Sequence, residues 1–102
     1  MAVVEISKEN FAEKVLNNPQ TVLLDFYADW CGPCQMVSPI VEEISNEHSE
    51  YTVGKINVDQ EPELAQKFGI TSIPALFAVK DAKIVNSIIG YRPKEDILNM
   101  LK

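Results

Sequence analysis

Cys31 and Cys34 are the only two cysteines in this chain of 102 residues, and they stand three positions apart in Trp30-Cys31-Gly32-Pro33-Cys34. Thiols at that spacing meet across one turn at the start of a helix and can close a small disulfide that opens again easily. An apolar run precedes them and a helical pattern follows, and Cys-x-x-Cys at such a junction is the redox reading of the spacing. The thiolate is the reactive form of cysteine, and a helix N-terminus stabilises it through unpaired N–H groups and the positive end of the dipole. Cys31 falls at that place. Cys34, one turn further in, is expected to be less exposed and to suit the resolving role. Pro33 costs the first turn no hydrogen bond, and Gly32 leaves room for a substrate chain to approach.

Two other readings of the pair stand beside this one. A fixed structural disulfide would gain little, because a loop this short removes little entropy from the unfolded chain. A zinc site needs four ligands, or three and a water. Cys31 and Cys34 supply half of that set, and His48, the single histidine, reads as a surface residue, so no metal is expected. Asp25 is the next residue with chemistry to offer, a carboxylate in the middle of an apolar run. Burial would raise its pKa by disfavouring the charged form, and it could then accept the proton of the inner thiol near neutral pH. Lys55, on a neighbouring strand candidate, is a plausible partner. Alternatively, Asp25 lies near a strand end in water or is merely paired with a lysine.

The elements that must position these groups are legible as patterns. Residues 3–6 form a short β-rich run. Ser7 then reads as the N-cap of a helix whose apolar face is Phe11, Val15 and Leu16, ended before Pro19. Residues 21–28 are apolar on both faces, which places that strand in the middle of a sheet covered by helices on both sides. Val37, Ile40, Val41 and Ile44 recur at helical spacing after Cys34, with Pro39 expected to kink the helix. Residues 51–58 are the next strand candidate. Pro62 opens a short helix that Gly69 follows. Residues 75–79 and 84–89 flank a connection so short that they must form an antiparallel hairpin. Pro93 opens a last helix carrying Ile97, Leu98 and Leu101. The order β-α-β-α-β-α-β-β-α describes an α/β sandwich with a mixed central sheet. Ile73-Pro74 precedes a strand, and base rates favour a trans bond there. Trp30, Ile73, Pro74, Ile89 and Tyr91, taken singly, are residues found more often in a core or on incidental surface than in a binding site, and Gly90 is more often just a strand end.

Composition narrows the classes. The length suits a single domain over residues 1–102, and 46% hydrophobic with 24% charged residues is ordinary globular composition. The formal net charge of −6 argues against nucleic acid, whose phosphates are held mainly by Lys and Arg. Met1-Ala2-Val3-Val4-Glu5 does not read as a secretory signal, and no apolar run approaches the length that spans a bilayer. The expected address is the cytoplasm, where a disulfide-capable pair is more often catalytic than structural.

The segment Phe26-Tyr27-Ala28-Asp29-Trp30-Cys31-Gly32-Pro33-Cys34 resembles the active-site segment of the thioredoxin family. The resemblance runs along essentially the whole chain, through Asp25, Pro39, Lys55-Ile56-Asn57-Val58-Asp59, Phe68-Gly69-Ile70, Ile73-Pro74 and Gly90. It implies a three-layer α/β/α sandwich with a central five-stranded mixed sheet and four flanking helices. It also implies a cis bond at Pro74, against the base rate. Cys31, Cys34, Asp25 and Lys55 would be the catalytic group, with Asp25 the buried acid. Trp30, Gly32, Pro33, Val58, Ile73, Pro74 and Gly90 would form the apolar substrate surface. The chain departs from the pattern in four places: Tyr27 stands where a second tryptophan is usual, Ala75 where threonine is common, and Thr71 where the residue is often basic. The turn at residues 80–83 lacks the usual glycine.

The expected activity is reduction of protein disulfides. The Cys31 thiolate would attack the substrate, and Cys34, deprotonated with the help of Asp25, would release it. The Gly-Pro dipeptide between the cysteines resembles the reducing branch of the family. No glycine-rich nucleotide fingerprint is present, so no cofactor is expected, and a separate thioredoxin reductase would restore the dithiol. The partners expected are that reductase and protein disulfide substrates, with no membrane and no nucleic acid, and the chain a monomer. A redox-independent binding subunit, or a dimer bridged by metal through both cysteine pairs, are the rivals from other classes.

Overall fold

Five runs rich in β-branched and aromatic residues become the strands of one sheet in the computed structural model, which describes residues 3–102. They are β1 (Val4–Glu5), β2 (Thr21–Tyr27), β3 (Tyr51–Asn57), β4 (Ala75–Lys80) and β5 (Lys83–Ile89). Met1 and Ala2, part of the stretch read above as carrying no secretory signal, lie outside the described residues. The strand order is β1-β3-β2-β4-β5. β1, β3 and β2 run parallel, while β4 is antiparallel to β2 and β5 to β4. The strand read as apolar on both faces is thus the central one, and its residues from Thr21 to Phe26 are all buried.

Side chains alternate across a strand, so β2 feeds two cores. Val22, Leu24 and Phe26 join Phe11, Val15, Leu64 and Phe77 on one face. There Phe68 meets the rings of Phe26 and Phe77 at 5.0 and 5.1 Å between centroids. Leu23 faces the other way, among Val37, Val41 and Ile44 of α1 (Gly32–Glu47) and Ile97, Met100 and Leu101 of α3 (Lys94–Leu101). The first face is covered by α2 (Pro62–Lys67) and by a π-helical turn, Ala12–Leu16. The result is the mixed five-stranded sheet with four flanking helical segments expected from the sequence. By alternation Asp25 and Tyr27 share the face of Leu23, beneath α1.

Local signals held unevenly. Pro62 is the first residue of α2, and Gly69 takes φ +67° just past its end. Pro39 lies inside α1, which continues through it to Glu47. The helix expected from Ser7 is corrected: the helical segment is one π turn, closed by the Asn17 amide donating to the Ala12 carbonyl at 2.9 Å. Asn10, not Ser7, organises the approach, its Oδ1 accepting from the Ser7 amide and its Nδ2 donating to the Glu5 carbonyl. Leu16, expected on the buried face, is exposed. Pro93 precedes α3 as its cap, one position earlier than a first helical residue. Asp81 and Ala82 turn the β4–β5 hairpin with φ of 53° and 65°, so the turn forms in the left-handed region without glycine. The glycine that packing does demand is Gly54, where a Cβ would stand 2.7 Å from Ile6 Cγ1.

Candidate active site

β2 delivers the chain to the carboxyl end of the parallel strands, and the Cys31 amide donates to the Ala28 carbonyl at 3.2 Å to turn it into α1. Cys31 is the N-cap of that helix in extended backbone geometry, and its Sγ accepts the Cys34 amide at 3.2 Å. The two residues are joined as a disulfide with 5.3 Å between their Cα atoms. The position at a helix N-terminus is the one read from the spacing, so the backbone N–H groups are already aimed at the outer sulfur. The expected difference in exposure is not there: Cys31 is 4% exposed and Cys34 3%. Their surroundings separate them instead. Cys34 lines a cavity of about 150 Å³ together with Tyr27, Ser38 and Lys55, and Cys31 does not.

Asp25 is fully buried, and neither of its carboxylate oxygens has a hydrogen-bond partner among the described residues. The burial excludes a solvated strand end, and Lys55 acts on the carboxyl without a hydrogen bond to it. Burial pushes its pKa up to about 7, Lys55 pulls it down, and Glu5 adds a smaller upward push. Lys55 is the register partner of Asp25 on β3. Its Nζ donates to Ser38 Oγ at 3.1 Å and lies 4.5 Å from the centroid of the Tyr27 ring. The Tyr27 hydroxyl donates to the Glu5 carboxylate, and burial followed by that carboxylate pushes its pKa up to about 12. Tyr27 and Ser38 were not singled out as site residues by their sequence positions. Ser38 could have been: it stands four residues after Cys34, on the same face of α1.

Around the disulfide the surface is apolar. Trp30 is 72% exposed, and its Nε1 donates to Asp59 Oδ2 at 2.9 Å, which fixes the indole. Val58 and Ile73 pack against the buried cluster of Ala28, Cys31 and Cys34. With Trp30, Ile70 and Thr71 they also line an open hollow of about 380 Å³. The Ile73-Pro74 bond is cis, as the resemblance implied and the base rate did not. The Pro74 carbonyl accepts the Gly90 amide at 2.8 Å, and Gly90 takes φ +91°. Gly32 and Pro33 are exposed in the first turn of α1, and a Cβ on Gly32 would meet nothing within 4 Å. His48 is half-buried, its ring against Tyr51 and its Nδ1 3.1 Å from Glu50. No group of three or more His, Cys, Asp or Glu residues among those described could hold a metal ion.

The sequence model of the Thioredoxin family matches residues 2–102. A thioredoxin of Pyropia yezoensis is 44% identical over 102 residues, covering 99% of this chain and 95% of the relative. One from Listeria monocytogenes is 46% identical over 96 residues, covering 93% and 91%. One from Alicyclobacillus acidocaldarius is 42% identical over 97 residues, covering 94% and 91%.

Proposed function

The chain belongs to the thioredoxin family and carries the redox-active disulfide of a thiol-disulfide oxidoreductase; on that premise we propose that it works as a reductase of protein disulfides, with Cys31 the nucleophile and Cys34 the resolving thiol. The observation that carries the reading is the placement of Cys31 at the N-cap of α1 with the Cys34 amide on its sulfur, the position that favours a thiolate. In the first step Cys31 Sγ attacks one sulfur of the substrate disulfide, and the other leaves as a thiolate that takes up a proton. Cys34 then gives its proton to the Asp25 carboxylate and attacks Cys31 Sγ. The second substrate sulfur leaves and is protonated. The substrate has gained two electrons and two protons, and the Cys31–Cys34 disulfide remains.

Trp30, Val58, Ile73, Pro74 and Gly90, with the exposed Gly32 and Pro33, form the surface on which an extended substrate segment would lie. In this reading Lys55 steadies the Asp25 carboxylate when it ionises. The chain acts as one domain and as a monomer in the cytoplasm, holds no cofactor, and depends on a separate thioredoxin reductase for electrons. No helix among the described residues is long and apolar enough to cross a membrane. The Cys34→Ser variant tests the scheme, because it stops the reaction after the first step. It is expected to accumulate mixed disulfides through Cys31 in cell extract, visible on a non-reducing gel and released by dithiothreitol. A gel without such adducts would reject the two-step scheme.

A further inference from the structure

Asp25 and Lys55 stand opposite one another on adjacent parallel strands, yet the ammonium is bonded elsewhere. Opposite charges on neighbouring strands gain from closing into a direct pair, more so away from water. Here two other groups hold the cation. Ser38 Oγ accepts from Lys55 Nζ at 3.1 Å, and the Tyr27 ring lies under it at 4.5 Å, a distance at which the face of an aromatic ring attracts a cation. The ring is itself held, because its hydroxyl donates to both oxygens of the Glu5 carboxylate at 3.1 and 3.3 Å. Tyr27, Cys34, Ser38 and Lys55 share the walls of one cavity of about 150 Å³, so the cation and both of its anchors adjoin the inner sulfur's pocket.

We propose that Tyr27 and Ser38 are positioning residues that hold the Lys55 ammonium off the Asp25 carboxylate, so that Asp25 keeps the proton affinity it needs to deprotonate Cys34. The proposal rests on the reading of Asp25 as the base for the inner thiol. A carboxylate in direct contact with an ammonium would stay ionised to lower pH and be a poorer proton acceptor near neutrality. The charged groups bearing on Asp25 are few. β3 contributes Lys55, and β1 contributes Glu5, whose charge acts in the opposite sense. α1 contributes the disulfide sulfur of Cys34 and the neutral hydroxyl of Ser38, and β4 places Leu76 as the register partner. Asp29, beyond the end of β2, acts on Tyr27. Ser38 and Tyr27 are thus the uncharged groups that decide where the Lys55 ammonium, the one cation acting on Asp25 among the described residues, rests.

The test follows the Asp25 carboxyl through its titration by carbon NMR in the oxidised protein, alongside the pH profile for resolution of a preformed mixed disulfide. Ser38→Ala and Tyr27→Leu each release one anchor and are expected to lower the Asp25 midpoint by about 1 pH unit, with the resolution profile moving down by the same amount. Tyr27→Trp, which keeps an aromatic face, is expected to restore the midpoint. Lys55→Met should raise the midpoint, and Ser38→Ala added to it should have no further effect. An unmoved midpoint in both single variants, or an equal shift in the Lys55→Met background, would overturn the proposal. The base reading fails separately, if Asp25→Asn resolves the mixed disulfide at the wild-type rate at every pH.

Discussion

The two sides of the disulfide invert the usual placement of residues in opposite ways. On the inner side a carboxylate is sunk completely, both oxygens without a hydrogen-bond partner among the described residues. On the outer side a tryptophan is 72% exposed, with Val58 and Ile73 beside it. Each placement has a physical cost that a structural role does not repay. A buried carboxyl weakens the fold once it must ionise, and an exposed apolar rim invites association. In the proposed mechanism the inner region serves a proton and the outer one another chain. The sulfurs lie between them, covered to nearly the same degree.

The contrast can be broken at either region. The largest effect is expected at Asp25. Its folded pKa is raised to about 7 from an ordinary value of 3.8. Below about pH 4 the carboxyl is protonated folded or unfolded and contributes nothing. As pH rises the unfolded chain ionises first, so stability falls until the folded carboxyl also ionises, and levels off above about pH 7. Urea unfolding of the oxidised protein should therefore show the wild type losing about 4 kcal/mol relative to Asp25→Asn between about pH 4 and pH 8. Parallel stability profiles for the two proteins would mean that Asp25 is not held protonated by burial. A smaller effect is expected at the rim. Trp30→Ala removes an exposed side chain and one hydrogen bond to Asp59, so stability should change by no more than about 0.5 kcal/mol. The KM for a folded disulfide protein should rise, while reduction of a small-molecule disulfide stays close to wild type. A large loss of stability would make Trp30 a structural residue, and equal loss on both substrates would remove it from the docking surface.

The fold was legible where one strand or helix carries its own pattern. The apolar character of both faces of residues 21–28, interrupted only by Asp25, placed β2 at the centre, and Val37, Val41 and Ile44 marked the buried stripe of α1. The cysteines, Pro62 and Gly69 announced local geometry that does not depend on distant residues. What was missed depends on partners far away in the chain. Ser7 lost the capping role because the Asn10 side chain ties that turn to β1. Gly54 is demanded by Ile6, and nothing near it in sequence says so. The cis bond at Pro74 came only through family resemblance, because a local reading starts from the trans preference. The roles of Tyr27 and Ser38 required knowing where the Lys55 ammonium goes, and the register gave only its strand position opposite Asp25. The expected contrast in exposure between the cysteines failed because the two pack with Ala28 into one buried cluster, against which Val58 and Ile73 from elsewhere in the chain are packed.

Competition between the two thiols for a limiting alkylating agent tests the central division of roles most directly. The reduced protein is treated with less than one equivalent of iodoacetamide at mildly acidic pH, and the labelled position is read by peptide mass. Label is expected on Cys31 well ahead of Cys34, because the Cys31 sulfur sits at the helix N-terminus with the Cys34 amide directed at it. Label on Cys34 first, or on neither, would contradict it.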